Sequence, residues 1–162
     1  MAADAARLPF AGETVDGIIS VEAAFHFRSR KAFFEECYRV LRPGGVLSMS
    51  DISIQRRPVT PAELLSGLTQ LRIFGLRRTM AMTAGQIAAA ARAAGLDEVE
   101  VTACGNRVIG PALRLTAGRL AGAATAAPVG HQTAARLLLR QVDLLWRRGI
   151  IDYLLLRAIR LR

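Results

Sequence analysis

From Thr14 to Ser20 the chain reads TVDGIIS, β-branched and apolar without strict alternation, the pattern of a strand buried on both faces. Ser29 then offers a helix cap. A helix is predicted from about Arg30 to Leu41, with Phe33, Cys37, Val40 and Leu41 on one face and Glu35 placed four residues before Arg39 in the favourable order. Pro43 ends that helix and Gly44-Gly45 makes the turn. Val46 to Ser50 is a second short apolar strand closing at Asp51. Strand, helix and strand joined by a crossover of this length predict a right-handed parallel βαβ unit, so the fold class is α/β.

A polar connection, ISIQRRPV, follows Asp51. Thr60-Pro61-Ala62-Glu63 is a capping box with proline at the first helical position, predicting a helix to about Phe74. Thr83 to Gln86 is a second capping box; its alanine-rich helix stops at Gly95, with Leu96 folding back on it. Val99 and Val101 mark a third strand. The small apolar stretch Pro111 to Ala127 predicts loose helix and loop. His131 to Arg148 is strongly amphipathic through Leu137, Leu138, Val142, Leu145 and Trp146; Gly149 ends it, and Ile150 to Ala158 is the fourth strand. With no repeat and no low-complexity linker, residues 1–162 are expected to form one domain.

Composition narrows the function classes. Hydrophobic residues make up 52% and charged residues 22%, which is globular and excludes disorder. The net charge of +9 rests almost entirely on arginines spread along the chain, and no basic block is interleaved with stacking aromatics. Specific nucleic-acid binding is therefore not expected. Cys37 and Cys104 are expected to be buried thiols; they form neither a disulfide framework nor a metal-ligand cluster. No apolar run reaches the roughly 18 to 20 residues of a membrane span, and MAADAARLPF lacks the charged and apolar regions of a secretory signal, so the expected location is cytoplasmic.

The most specific signal is a composite: Asp4-Ala5, then Leu8-Pro9-Phe10, Val15-Asp16 opening the first strand, VEAAFHF from Val21 to Phe27, RVLRPGG, and a strand ending in Asp51. This order resembles the second half of a class I S-adenosylmethionine-dependent methyltransferase, most nearly the group that methylates small molecules and lipids. The resemblance covers residues 4 to 51 and extends to the helix at Thr83 to Ala94 and the strand after it. It implies a partial Rossmann-like sheet, mainly parallel with an antiparallel last strand, in the family order 4-5-7-6, with lid helices inserted over about residues 53–82. It also implies S-adenosylmethionine as cofactor and a small-molecule or lipid acceptor.

Residue by residue, the resemblance puts Asp4 where a carboxylate accepts from the adenine amino group, with the Ala5 N–H facing a ring nitrogen. A turn-capping aspartate is the other reading of Asp4. Val21 and Glu22 fall where backbone groups hold the methionine end of the cofactor; Glu22 also fits a solvated charge at a strand exit. His26, between Phe25 and Phe27, fits either a general base taking a proton from the acceptor or a pocket wall. Asp51 lines the substrate side or caps the following loop. Met80 and Met82 are pocket fillers or plain core.

The family's glycine-rich loop and ribose-binding acid have no counterpart here, and no GxGxxG occurs. The expectation is thus the carboxyl-side part of such an enzyme, with weak or no activity alone. The strand at Val15 to Ser20 becomes an edge, and Ile18 and Ile19 lose the helices that would cover them. Self-association, or a partner supplying the amino-terminal half, follows. The alternative is a non-catalytic methyltransferase-like subunit that dimerises through that edge. At most weak membrane-surface contact is expected, through LLWRRG and the arginine-rich RAIRLR.

Overall fold

The computed structural model describes residues 4–75, 81–122 and 129–161. Among these residues four strands form one sheet: β1 (Val15–Val21), β2 (Leu41–Ile54), β3 (Asp97–Ala103) and β4 (Ile151–Ile159), in the order β1-β2-β4-β3. β1 and β2 are parallel, with Ile18 beside Leu47 and Ser20 beside Met49. β4 runs antiparallel to both of its neighbours, β2 and β3. The expected order, with its antiparallel last strand, is the one observed.

The crossover helix is α1 (Arg30–Val40), begun by Ser29, whose hydroxyl accepts from the Ala32 N–H at 3.1 Å. β2 starts at Leu41 rather than at Val46, because Val15 already pairs with Leu41. The residues between are displaced from that ladder; pairing with β1 resumes at Gly17 and Val46. Gly44, at φ 82°, turns the chain so that its N–H reaches the Arg160 carbonyl at 2.6 Å.

α1 and α3 (Ala84–Ala93) cover one sheet face. Phe33, Phe34 and Cys37 of α1 pack with Ile87 and Ala91 of α3 over Leu47, Met49, Leu154, Leu156 and Ala158. Full burial of residues such as Phe34, Leu47 and Leu154 contributes about 1.5–3 kcal/mol each. Both cysteines are buried; desolvation pushes the Cys37 thiol up to about 12.

Among the described residues, the opposite face is covered only at the carboxyl end of β2. There α4 (Gly105–Gly122) and α5 (Val129–Arg147) bring Ile109, Val142 and Trp146 over Tyr153 and Ile52. α4 was expected as loose helix and loop from Pro111 to Ala127. It runs instead from Gly105 through Pro111, as far as Gly122, and residues 123–128 lie outside the described residues. Its start is fixed from outside its own sequence: the Asp152 carboxylate accepts from the Gly105 N–H at 3.1 Å, satisfying a first-turn donor and complementing the helix dipole.

Among the described residues nothing covers the rest of that face. Ile19 is 82% exposed, Val21 66% and Leu155 46%. With Ser48, Ser50, Thr102 and Arg157 they line a groove of about 330 Å³. Ile18 departs from expectation. Strand side chains alternate, and Ile18 points to the side of α1, where it joins the core; only Ile19 lacks cover.

The first residues of RAIRLR belong to β4, where Arg157 is exposed, while Arg160 is buried. The Arg160 guanidinium donates to the Leu41 and Tyr38 carbonyls, pairs with Glu13 at 2.6 Å and lies over the Tyr38 ring. Arg162 lies outside the described residues. Among the described residues no helix is long and apolar enough to cross a membrane.

Candidate functional site

Doubly wound sheets bind ligands beyond the carboxyl ends of their parallel strands. Here those ends are Val21 of β1 and the Asp51 region of β2. Glu22 follows β1 with φ 48°, a left-handed conformation that costs a non-glycine residue about 1–3 kcal/mol. Two bonds hold it there. Its N–H donates to the Ser50 carbonyl at 3.1 Å, and its carboxylate accepts from the Tyr153 hydroxyl at 2.9 Å. The Ser50 hydroxyl lies 2.9 Å from the same phenol oxygen. Burial holds the Tyr153 phenol above its usual range; Ser50 opposes this and Glu22 adds to it.

Below this row sits a buried ion pair. Asp51 is fully buried, and the Arg30 guanidinium reaches its Oδ2 at 2.7 and 2.8 Å through two nitrogens. Asp51 Oδ1 accepts from the Ile52 N–H at 2.9 Å. Burial raises the Asp51 carboxyl despite Arg30, with a smaller opposing pull from His26. Of the two readings of Asp51, neither loop cap nor substrate wall describes this geometry. It ties β2 to the first residue of α1.

His26 ends a short 3-10 turn, Ala24–His26, and is exposed, with its ring 4.3 Å from that of Phe25. Ala24 beneath it is fully buried, so the turn is anchored by its first residue and presents its last.

Asp4 and Ala5 lie on a turn against α1. Asp4 is exposed, its Oδ1 accepting from the Ala6 N–H at 3.0 Å, while Ala5 packs against the core. The segment is held by a carboxylate–guanidinium pair. Glu36 accepts from the Leu8 N–H at 2.7 Å, and Arg39 donates to the Leu8 and Phe10 carbonyls. The Arg39 bond holds the Glu36 carboxyl below its usual range. The LPF stretch is therefore seated by α1, not by a strand.

Beyond β2, α2 (Pro61–Ile73) rests on α5 through the Gln70 amide, 3.2 Å from Gln141 Oε1. Its capping box forms as the sequence predicts. Glu63 also takes both ends of the Arg56 guanidinium, which holds its carboxyl down to about 2. Met82 packs at the core edge; Met80 lies outside the described residues.

Val21, Glu22 and His26 thus follow one another at the carboxyl end of β1. Two participants were missed from sequence. Arg30 carried a signal, because an arginine in the first helical turn opposes the helix dipole and needs another reason to be there. Tyr153, inside the apolar run IIDYLLLRA, carried none.

Residues 1–49 match the model of a family described as methyltransferase domain. Over 48 residues the chain is 48% identical to erythromycin 3''-O-methyltransferase of Saccharopolyspora erythraea, a stretch that is 30% of this chain and 16% of that protein. Over 53 residues it is 42% identical to methyltransferase GfsG of Streptomyces halstedii, covering 33% of this chain and 19% of the relative. In fold, it matches a Haemonchus contortus phosphoethanolamine N-methyltransferase solved with S-adenosyl-L-methionine. The TM-score is 0.84 at 15% identity, over 98% of this chain and 36% of the other. The chain therefore spans well under half of that relative. The likeness to class I S-adenosylmethionine-dependent methyltransferases holds in sequence over residues 1–49 and in fold over nearly the whole chain.

Proposed function

From methyltransferase-family sequence over residues 1–49 joined to that family's fold, we propose that this chain forms the acceptor-side part of an S-adenosylmethionine-dependent methyltransferase acting on a small molecule or lipid. The observation that carries the proposal is Glu22, held at φ 48° at the open carboxyl end of β1 by Tyr153 and Ser50. Glu13 and Glu98 also stand at positive φ, but of the three Glu22 alone follows the carboxyl end of a parallel strand, where sheets of this class bind ligands.

The residues present suit the cofactor on one wall. Val21 offers exposed apolar surface, Glu22 an acceptor for an ammonium or hydroxyl donor, and Asp4 an exposed acceptor for an amino group. Ala5 lies beside Asp4 to offer its N–H to the adenine ring. When bound, S-adenosylmethionine supplies an activated methyl carbon. The chain's own part is to orient the acceptor for in-line approach, with His26 taking its proton or walling the pocket. The segment over about residues 53–82, which includes α2, forms a lid over the acceptor. Without a glycine-rich loop in its sequence, the chain alone binds the cofactor weakly and turns over little or nothing.

Titration with S-adenosylmethionine, followed by amide NMR and calorimetry, tests this. Shifts at Asp4, Ala5, Val21 and Glu22, with a dissociation constant weaker than about 100 μM, are expected. Shifts elsewhere and none at these four would refute the site; tighter binding would refute the weakness.

A second reading is favoured by one feature. β1 is an edge strand among the described strands, with Ile19 82% exposed. It is a non-catalytic subunit that self-associates through that edge or receives a partner there. Sedimentation that stays monomeric across concentration, with no change on Ile19→Lys, would dismiss the self-association.

A further inference from the structure

α2 is amphipathic in the reverse sense. The residues it buries are Glu63, Ser66 and Gln70, at 2%, 5% and 8% exposure. The residues it turns outward are Leu64, Leu65 and Leu68, at 47%, 64% and 46%. Spacings of one, three and four put these leucines on one stripe, continued by exposed Arg72. The inversion is built into the docking. Arg56 binds Glu63 twice, the capping box holds Thr60, and Gln70 lies over the Leu138 carbonyl and Gln141 of α5. Gln70 even leaves its Oε1 buried without a partner. A helix that tucks polar groups inside, one of them unsatisfied, and keeps leucines outside has its apolar face committed to something other than the core.

The charges of α2, α5 and the segments flanking them say what kind of surface the stripe meets. Residues 55–75 and 129–149 contain two acids, Glu63 and Asp143, each paired with an arginine. The exposed charges are Arg57, Arg72, Arg136, Arg140, Arg147 and Arg148. On α5, Leu137 is 55% exposed between the first of these arginines and the next turn; Val59, ahead of α2, is 75% exposed.

We propose that the leucine stripe of α2, with the arginines of α2 and α5, is a docking surface for an anionic phospholipid bilayer. The leucines enter the boundary between headgroups and acyl chains while the guanidiniums meet lipid phosphates. Two modest contributions, apolar and electrostatic, give reversible attachment. The inference does not depend on the chain's enzymatic reading.

Co-sedimentation of the full chain with vesicles tests it. Retention is expected on phosphatidylcholine vesicles containing phosphatidylglycerol, falling with added salt, and not on phosphatidylcholine alone. L65S/L68S should weaken retention at least about tenfold, while melting as the parent does because both side chains are exposed. Arg72→Gln should weaken it about fivefold. Absence of retention on the anionic vesicles overturns the proposal. So does retention unchanged by L65S/L68S, which would be mere charge adsorption. A change of oligomeric state in that variant without loss of retention would make the stripe an interface between copies and also overturn it.

Discussion

The Tyr153 hydroxyl lies 2.9 Å from the Glu22 carboxylate, joining β4 to the end of β1 across 131 positions of sequence. β2 runs between them, and its Ser50 hydroxyl completes the row at 2.9 Å from the same phenol oxygen. The one phenolic proton goes to the carboxylate, so Ser50 donates back to the phenol oxygen. The row fixes a strained backbone at the strand end where the cofactor wall is proposed.

Tyr153→Phe removes that proton while keeping the ring among Ile109, Val142 and Trp146. It should cost about 0.5–1.5 kcal/mol in urea unfolding, the net worth of one hydrogen bond, because Glu22 is exposed and water can replace the lost donor. Glu22 should also relax, seen as a change in its amide shift. A midpoint and a shift both equal to the parent's would show that the row constrains nothing.

The Arg30–Asp51 pair is buried at 1% and 0% side-chain exposure. Arg30→Ala strands a carboxylate in the core and should destabilise by about 3–5 kcal/mol. The double change Arg30→Met with Asp51→Leu should recover most of that loss, because a pair's desolvation roughly cancels its attraction. Equal instability of the single and double variants in denaturant titrations would rule this account out.

Glu63 has its carboxyl held down to about 2 by Arg56 and two backbone N–H groups. A depressed acid stabilises the fold above its unfolded pKa of about 4.3, and that contribution fades as pH falls toward the folded value. Hydrogen exchange of α2 amides, corrected for intrinsic rates, should accelerate between about pH 4.3 and 2. In Glu63→Gln this added acceleration should be missing.

Gly95 closes α3 at φ 94°, and a methyl there would approach Tyr38 Cε2 to 2.9 Å. Gly95→Ala combines left-handed strain with a clash against an aromatic ring that also carries Arg160. A loss of about 1–3 kcal/mol in thermal unfolding is expected. Gly118→Ala, with open space and no positive φ, should instead be neutral or mildly stabilising.

Local chemistry made much of this fold legible. Ser29, Thr60 and Thr83 each cap the helix their positions announced, and Gly95 and Gly149 stand at positive φ where helices end. The apolar runs gave the strands, and RVLRPGG gave the parallel crossover. What stayed hidden depends on partners distant in sequence. α4 is begun by Asp152, 47 positions away, and β2 is extended backward by Val15 and Arg160. Of the proposed site residues, Glu22, His26, Asp4 and Ala5 were visible as motif members. Tyr153 and the reversed face of α2 were not, because a hydroxyl's reach and a helix's orientation are set by packing.

The last of the four described strands in the sequence, β4, is not an outer one; it lies between β2 and β3 and pairs with both. During synthesis β2 leaves the ribosome about a hundred residues before the partner that fills its second side. Until then neither the β2–β3 gap nor the layer over Leu154 and Leu156 can close. Folding of this chain is therefore a late event gated by β4, and stalling translation between α5 and β4 should leave a nascent polypeptide that proteases digest and chaperones hold.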